Sequence, residues 1–272
     1  MQGRNKEALL LEDIQNSVDS RGIEIQHVGV REIHLPFQIR TKEGDFQQVL
    51  ARICFTISLP QEYKGTHMSR FMEILNQWGN RPIAEPEMEA ILDEALERLS
   101  SASASIEIRF KYFIKKAAPV SGRTSLLDLD CCFYGRKAKN QRFLFTLGVD
   151  VPATSLCPCS KSISRYGAHN QRGMMRAQMR FREGFECIYI EDLADLMEKQ
   201  ASSPLYPLLK REDEKYVTEH AYENPKFVED MLRDLVVAFR ALPGIEWFSV
   251  SCENYESIHN HNAYAAYEEW VK

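Results

Sequence analysis

Between residues 154 and 172 the chain reads TSLCPCSKSISRYGAHNQR. Cys157 and Cys159 flank Pro158, His169 follows twelve residues after Cys157, and Lys161, Arg165 and Arg172 stand among them. Soft ligands, an imidazole and several cations in one short window suit a metal site, a nucleophilic thiol or an anion-binding loop. The plain alternative is a turn with incidental cysteines. A C-x-C pair with one histidine is too small a set for structural zinc, which takes four protein ligands. A catalytic metal needs fewer, plus an open position for water. Further ligands must therefore come from elsewhere in the chain.

Three other stretches offer them. Residues 251–262, SCENYESIHNHN, crowd Glu253, Glu256, His259 and His261 together. Histidines at i and i+2 share a face on a strand and can converge on one ion in a turn; the alternative is a solvated polar loop. Residues 201–224 read as a long charged link between helices, carrying Glu214, Glu219 and His220. Its charge suits plain solvated surface, yet connections of that length inside a compact domain are often functional. Glu229 falls one turn into a helix whose other face is apolar. A carboxylate there is favoured by the helix dipole, and it could also offer two oxygens to an N–H pair of a planar heterocycle.

The elements that must position these groups follow from periodicity. The 272 residues, 44% apolar and 27% charged, suffice for one large domain or two packed halves. Residues 23–40 and 46–59 read as strands, the second with Val49, Ala51, Ile53, Phe55, Ile57 and Leu59 on one face. Two helices follow. One is capped by Thr66, carries Met68, Phe71, Ile74, Leu75 and Trp78, and stops at Gly79. The other starts near Pro86 with a stripe from Met88 to Leu99. Strands at about 106–114 and 124–136 complete a first half. The order then recurs: a strand over 143–151, the 154–172 loop, a strand over 175–182, a helix over 191–200, a helix from Pro225 capped by Asn224, and strands near 245–254 and 262–271. This predicts an α+β protein of antiparallel sheets, each backed by helices on one face, with edges that must be paired or covered. The expected divisions are an arm over 1–20, a first unit over 21–138 and a second over 139–272.

The net charge of −5 argues against a general nucleic-acid binder. No apolar run approaches the roughly 20 residues needed to cross a bilayer, and the polar N-terminus lacks the pattern of a secretory signal. Seven cysteines, an odd number, suit reduced thiols in the cytosol. Cys54, Cys187 and Cys252 lie in strand-like runs and read as small buried apolar groups.

The chain resembles the type IB GTP cyclohydrolases, enzymes that open folate biosynthesis in many bacteria. The resemblance is carried by KGTHMSRF (64–71), TSLCPCSKSIS and YGAHNQR (154–172), LKREDEKYVTEHAYENPKFVED (209–230) and SVSCENYESIHNHNAYA (249–265). It implies the tunnelling fold, with two tandem sheet units whose strands continue between subunits into a barrel. It implies a homotetramer with active sites at subunit interfaces and a divalent metal, zinc or manganese among others. The implied reaction converts GTP and water to 7,8-dihydroneopterin triphosphate and formate. On the same ground Cys157 would be the essential metal-associated thiol and His169 a ligand or proton carrier. Glu214, His259 and Glu256 would be further ligands, and His261 an acid/base group. Glu229 would anchor guanine, and Lys161, Arg165 and Arg172 would meet the triphosphate. Two other readings remain open: the NADPH-dependent nitrile reductase of queuosine synthesis, with Cys157 as nucleophile and no metal, and a non-catalytic purine- or pterin-binding protein that needs Glu229 but not Cys157.

Overall fold

The computed structural model describes residues 13–271 apart from Asn16 and Cys187. Most of the arm expected over 1–20, and the expectation for Cys187, lie outside the described residues. The elements run β1 (Ile25–Arg40), β2 (Phe46–Leu59), α1 (Met68–Trp78), α2 (Glu85–Arg98), β3 (Ser103–Ala117), β4 (Thr124–Ala138), β5 (Leu144–Leu156), α3 (Pro158–Ile163), β6 (Asn170–Phe181), α4 (Ile190–Glu198), β7 (Ser203–Pro204), α5 (Arg211–Glu223), α6 (Val228–Arg240), β8 (Ile245–Asn254) and β9 (Ala263–Trp270). Among the described residues the strands all pair antiparallel in one sheet ordered β1-β2-β3-β4-β5-β6-β8-β9, with β7 beside β5. The two halves read from the sequence thus share a single sheet, joined where Phe133 faces Leu147 and Cys131 faces Val149.

The period of two explains the sheet's two faces. Across the ladder Ile53 opposes Ile108, Ile108 opposes Phe133, Leu147 opposes Met179 and Met179 opposes Phe248. All are buried, and α1, α2, α4 and α6 cover them. Phe71 of α1 is fully buried with its ring edge-on to Phe55, centroids 5.2 Å apart; truncating such a side chain costs about 3–5 kcal/mol. The opposite face carries charge, with Lys111 bound to Asp128 and Asp130 at 2.9 Å and Arg176 to Glu253 at 3.0 Å. Cys54 lies on this side, half-buried opposite Glu107, because its neighbours Ile53 and Phe55 take the core parity. Cys252 is in the core as expected.

Several helix expectations need correction. The N-cap of α1 is His67 rather than Thr66, and no side chain caps it. Among its described residues the second half holds four helices, not two, because α3 and α5 interrupt stretches read as loop and link. The α5 sequence shows little apolar periodicity: only Asp213 and Ala221 are buried along it. Asn224 caps the C-terminus of α5 instead of opening the next helix, and its Nδ2 donates to the carbonyls of Ala201 and Ser202 at 3.0 and 3.3 Å. Pro225 disfavours helical geometry at the residue before it, so α6 starts only at Val228, where Asp230 accepts the N–H of Phe227 at 3.1 Å.

Asp213 fastens α5 to the first half. Its side chain accepts the N–H groups of Val120, Ser121 and Lys210 at 2.8–2.9 Å and the Ser121 hydroxyl at 2.7 Å. Burial alone would raise its pKa, but the donors, Ser121 foremost, outweigh burial and hold the carboxyl well below the usual carboxylate range. A folded pKa below the unfolded one stabilises fully above about pH 4, and the stabilisation is lost as pH falls further. Asp213→Asn is therefore expected to lower Tm at pH 7, with the deficit shrinking as the medium is acidified. An equal deficit at neutral and strongly acidic pH would show that the charge is not what Asp213 contributes.

Candidate active site

The corner between β5 and β6 is where chemistry-bearing residues meet. The ladder runs to the pair Leu156 and Asn170, and one bond further the Cys157 N–H donates to the His169 carbonyl at 3.1 Å. The excursion 157–169 is therefore closed at its base. Pro158 suits the first position of α3, having no N–H to satisfy. Cys157 caps that helix, its Sγ accepting the Ser160 N–H at 3.4 Å. The Ser160 hydroxyl donates to the Cys157 carbonyl and receives the His169 N–H, both at 3.2 Å. The Cys157 thiol and the His169 backbone are thus tied to one serine.

Beneath His169 lies a buried polar cluster. Its Nδ1 is 3.0 Å from Gln171 Oε1. Gln171 Nε2 reaches Ser155 Oγ at 3.3 Å and Glu256 Oε1 at 3.4 Å, and Asn254 Nδ2 reaches Ser155 Oγ at 2.9 Å. The absence of a side chain at Gly173 allows this approach, since a Cβ there would lie 2.7 Å from Asn254 Oδ1. Of the carboxylates named from sequence, Glu256 is the one the fold links to His169. Gln171 was missed, although it stands two residues after His169 on a strand, the spacing that puts side chains on one face.

The other expected residues are more dispersed. Glu253 is taken by Arg176 at 3.0 Å and Asn262 at 2.8 Å, which secures the base of the 255–262 segment. His259 and His261 stack on that exposed segment, centroids 5.2 Å apart. Glu214 is exposed on α5, where His220 stacks on Tyr216 at 5.6 Å and Glu219 faces Lys215 at 3.9 Å. Lys161 donates to the Tyr222 carbonyl at the end of α5 and sits 4.3 Å above the Tyr222 ring. It ties α3 to α5. Arg165, Arg172 and Glu229 are exposed. Among the described residues, no three His, Cys, Asp or Glu side chains gather as a metal site.

A cavity of about 290 Å³ opens between the 157–169 excursion and α5, lined by Leu156, Gly167, Ala168, Asn170, Thr218, Glu219, Tyr222 and Glu223. A larger one of about 520 Å³, among Ile39, Phe133, Phe145 and Phe185, holds none of the candidate residues. The thiols divide in the same way. Burial pushes Cys132 and Cys252 up to about 12 and raises Cys131 as well, which makes them unreactive. Cys157 is half-buried and Cys159 is exposed.

The architecture is shared with urate-binding enzymes of known structure. A uricase from Bacillus fastidious superposes with a TM-score of 0.58 at 7% identity, over 90% of this chain and 93% of that one. A urate oxidase from Bacillus sp. TB-90 gives 0.51 at 7% identity, over 90% of this chain and 100% of that one. These likenesses define the fold alone. The sequence defines the family: residues 11–265 match the model described as type I GTP cyclohydrolase folE2. The GTP cyclohydrolase FolE2 of Geotalea uraniireducens is 52% identical over 95% of this chain and 93% of its own length. That of Geobacter sulfurreducens is 52% identical over 94% and 97%, and that of Azoarcus sp. 48% over 94% and 94%. The chain belongs to the type I GTP cyclohydrolase folE2 family.

Cys157→Ala removes a half-buried side chain and one N–H···S bond, a loss on the order of 1 kcal/mol for a helix cap. The variant is expected to fold with a slightly lower Tm and to lose turnover. Retained activity would show that the chemistry lies elsewhere.

Proposed function

We propose that this protein hydrolyses GTP to 7,8-dihydroneopterin triphosphate and formate, the first committed step toward tetrahydrofolate, at a site built on the β5–β6 corner. It is a GTP cyclohydrolase. Family membership over nearly the whole chain carries this reading. It also disfavours the nitrile-reductase and passive-binder alternatives, which leave the His169–Gln171–Glu256 cluster without a task.

The family is metal-dependent, and the donor types present suit a divalent ion such as zinc or manganese. Cys157 offers a soft sulfur. His169 has Nδ1 turned to Gln171, which leaves Nε2 for a ligand. Glu256 reaches the same cluster. We assign Cys157, His169, Glu214, His259 and Glu256 to the metal, with Glu214 and His259 joining from the exposed α5 and the 255–262 segment, or from a neighbouring subunit. Such an ion supplies Lewis acidity, making water a competent nucleophile toward guanine C8 near neutral pH.

The remaining tasks fall to the protein's own groups. Glu229, exposed in the first turn of α6, pairs with guanine N1–H and the 2-amino group. Arg165, Arg172 and Lys161 meet the triphosphate. Lys161 must leave the Tyr222 carbonyl to do so, while the exposed arginines are free to turn. Opening the imidazole ring and releasing formate require protonation at N7 and N9, and reclosure as the pterin requires proton transfer at the sugar. His261 is assigned to this work, since imidazole is the side chain that exchanges protons near neutral pH; His169 shares it only when its Nε2 is not on the metal.

Assembly completes the reading. The units 21–138 and 139–272 act as tandem tunnelling-fold repeats, and a homotetramer joins their sheets into a barrel with active sites between subunits. The edge strands β1 and β9 support this: each pairs with a single long strand, and Ile25, Tyr264 and Trp270 are exposed along them. Among the described residues no helix is long and apolar enough to cross a membrane, and a cytosolic setting suits the unpaired thiols. GTP is the expected partner, with no role for nucleic acid.

Protein reconstituted with several divalent metals in turn and incubated with GTP should release formate and, after oxidation, a fluorescent pterin. Failure with every metal would overturn the assignment.

A further inference from the structure

We infer that Gln171 is the positioning residue for His169: it fixes which ring nitrogen carries the proton and so presents Nε2 as the ligating atom. The inference rests on the reading of His169 as a metal ligand and follows from counting donors and acceptors. Ser155 has one hydroxyl proton, and its Oγ lies 3.2 Å from the Lys226 carbonyl, which can only accept. With that proton committed, Ser155 Oγ must accept from its other neighbours, Gln171 at 3.3 Å and Asn254 at 2.9 Å. The Gln171 amide nitrogen therefore faces Ser155. The Glu256 carboxylate, 3.4 Å away, also requires an N–H from Gln171. Both hydrogens of the amide are then used.

Oε1 is left to face His169 Nδ1 at 3.0 Å. An amide oxygen only accepts, so Nδ1 carries the proton in the neutral ring and the lone pair sits on Nε2. Turning the amide over would set its oxygen against the Glu256 carboxylate and strip the Lys226 carbonyl of its donor. Ser155, Gln171 and Asn254 are 1%, 7% and 2% exposed, so water cannot readily substitute for any of these bonds. A buried polar group left unpaired costs about 1–3 kcal/mol, which holds the amide in this orientation.

The chain of bonds has a second consequence. Lys226 belongs to the connection between α5 and α6, Ser155 to β5, Gln171 to β6, Asn254 to β8 and Glu256 to the segment after it. The imidazole orientation is thus set by the segment that carries His259 and by the connection joining α5, which carries Glu214, to α6, which carries Glu229. Gln171 does not touch substrate; it acts through His169.

Imidazole ¹⁵N shifts in the metal-free protein, with His169 identified by substitution, test the tautomer directly. Zinc affinity, measured by competition with a chromophoric chelator, tests its consequence. The wild type should show the Nδ1–H form. Gln171→Leu should lose that preference and bind Zn²⁺ about 10- to 100-fold more weakly, the usual loss when an outer partner of a metal-bound histidine is removed, with circular dichroism unchanged. Gln171→Glu keeps an acceptor at Nδ1 and should recover zinc affinity relative to the leucine variant. An Nε2–H tautomer in the wild type would overturn the inference, as would undiminished zinc binding by Gln171→Leu. If the leucine variant fails to fold, the wild-type tautomer still decides. Wild-type protein that makes no formate from GTP would sink the functional reading while leaving the tautomer result standing. Active wild type with an indifferent Gln171→Leu would sink this inference alone.

Discussion

The hydrogen bond from the Cys157 N–H to the His169 carbonyl is the closure on which the candidate site depends. It extends the β5–β6 ladder one step past Leu156 and Asn170, so the backbones of Cys157 and His169 lie opposite each other whatever the intervening residues do. The same projection creates a need. The pairing of β4 with β5 ends at Asp150, so residues 151–156 have no long strand on that side. Backbone groups there must find partners. β7 pairs with Ala153 and Thr154, Ser202 bonds to Thr154 and Leu156, and the Lys226 N–H bonds to the Leu156 carbonyl. Satisfying the edge of β5 therefore draws in the stretch from 201 to 226, and α5 comes with it.

The sheet that carries this corner is buried on one face and charged on the other. Continuity of the apolar face through β4 and β5 makes the two halves a single packed layer. The ion pairs on the open face, such as Lys111 with Asp128 and Asp130, are about half exposed. Pairs of that kind contribute little to stability, and their effect is to keep the face wetted. The site is poised between these regimes: Ser155, Gln171 and Asn254 are dry, whereas His259, His261 and Glu229 face water. The buried part is rigidly specified, and the exposed part is what assembly and substrate must organise.

Strong periodicity was readable. The alternation of β2, β3, β5 and β8, and the stripes of α2 and α6, place the core because each such element buries one face. Weak periodicity was not. α5 exposes most of its length and is held by Asp213 and by Lys161 at its far end, contacts distant in sequence. Asn224 carried a cap signal that suits either end of a helix, and only the packing of Ala201 and Ser202 against it settles which.

By itself the sequence determined the family, the core parity of the long strands and the residue types able to do the chemistry, because these depend on local spacing and identity. It did not determine which of those residues meet. Glu256 rather than Glu253 joins His169 through Gln171, since Glu253 alternates onto the open face of β8, where Arg176 and Asn262 hold it. Gln171 gains its role only when Ser155, Lys226 and Glu256 arrive from other elements and exhaust its hydrogens. A side chain's partners are set by competition among groups brought together in space, and that competition exists only in the folded protein.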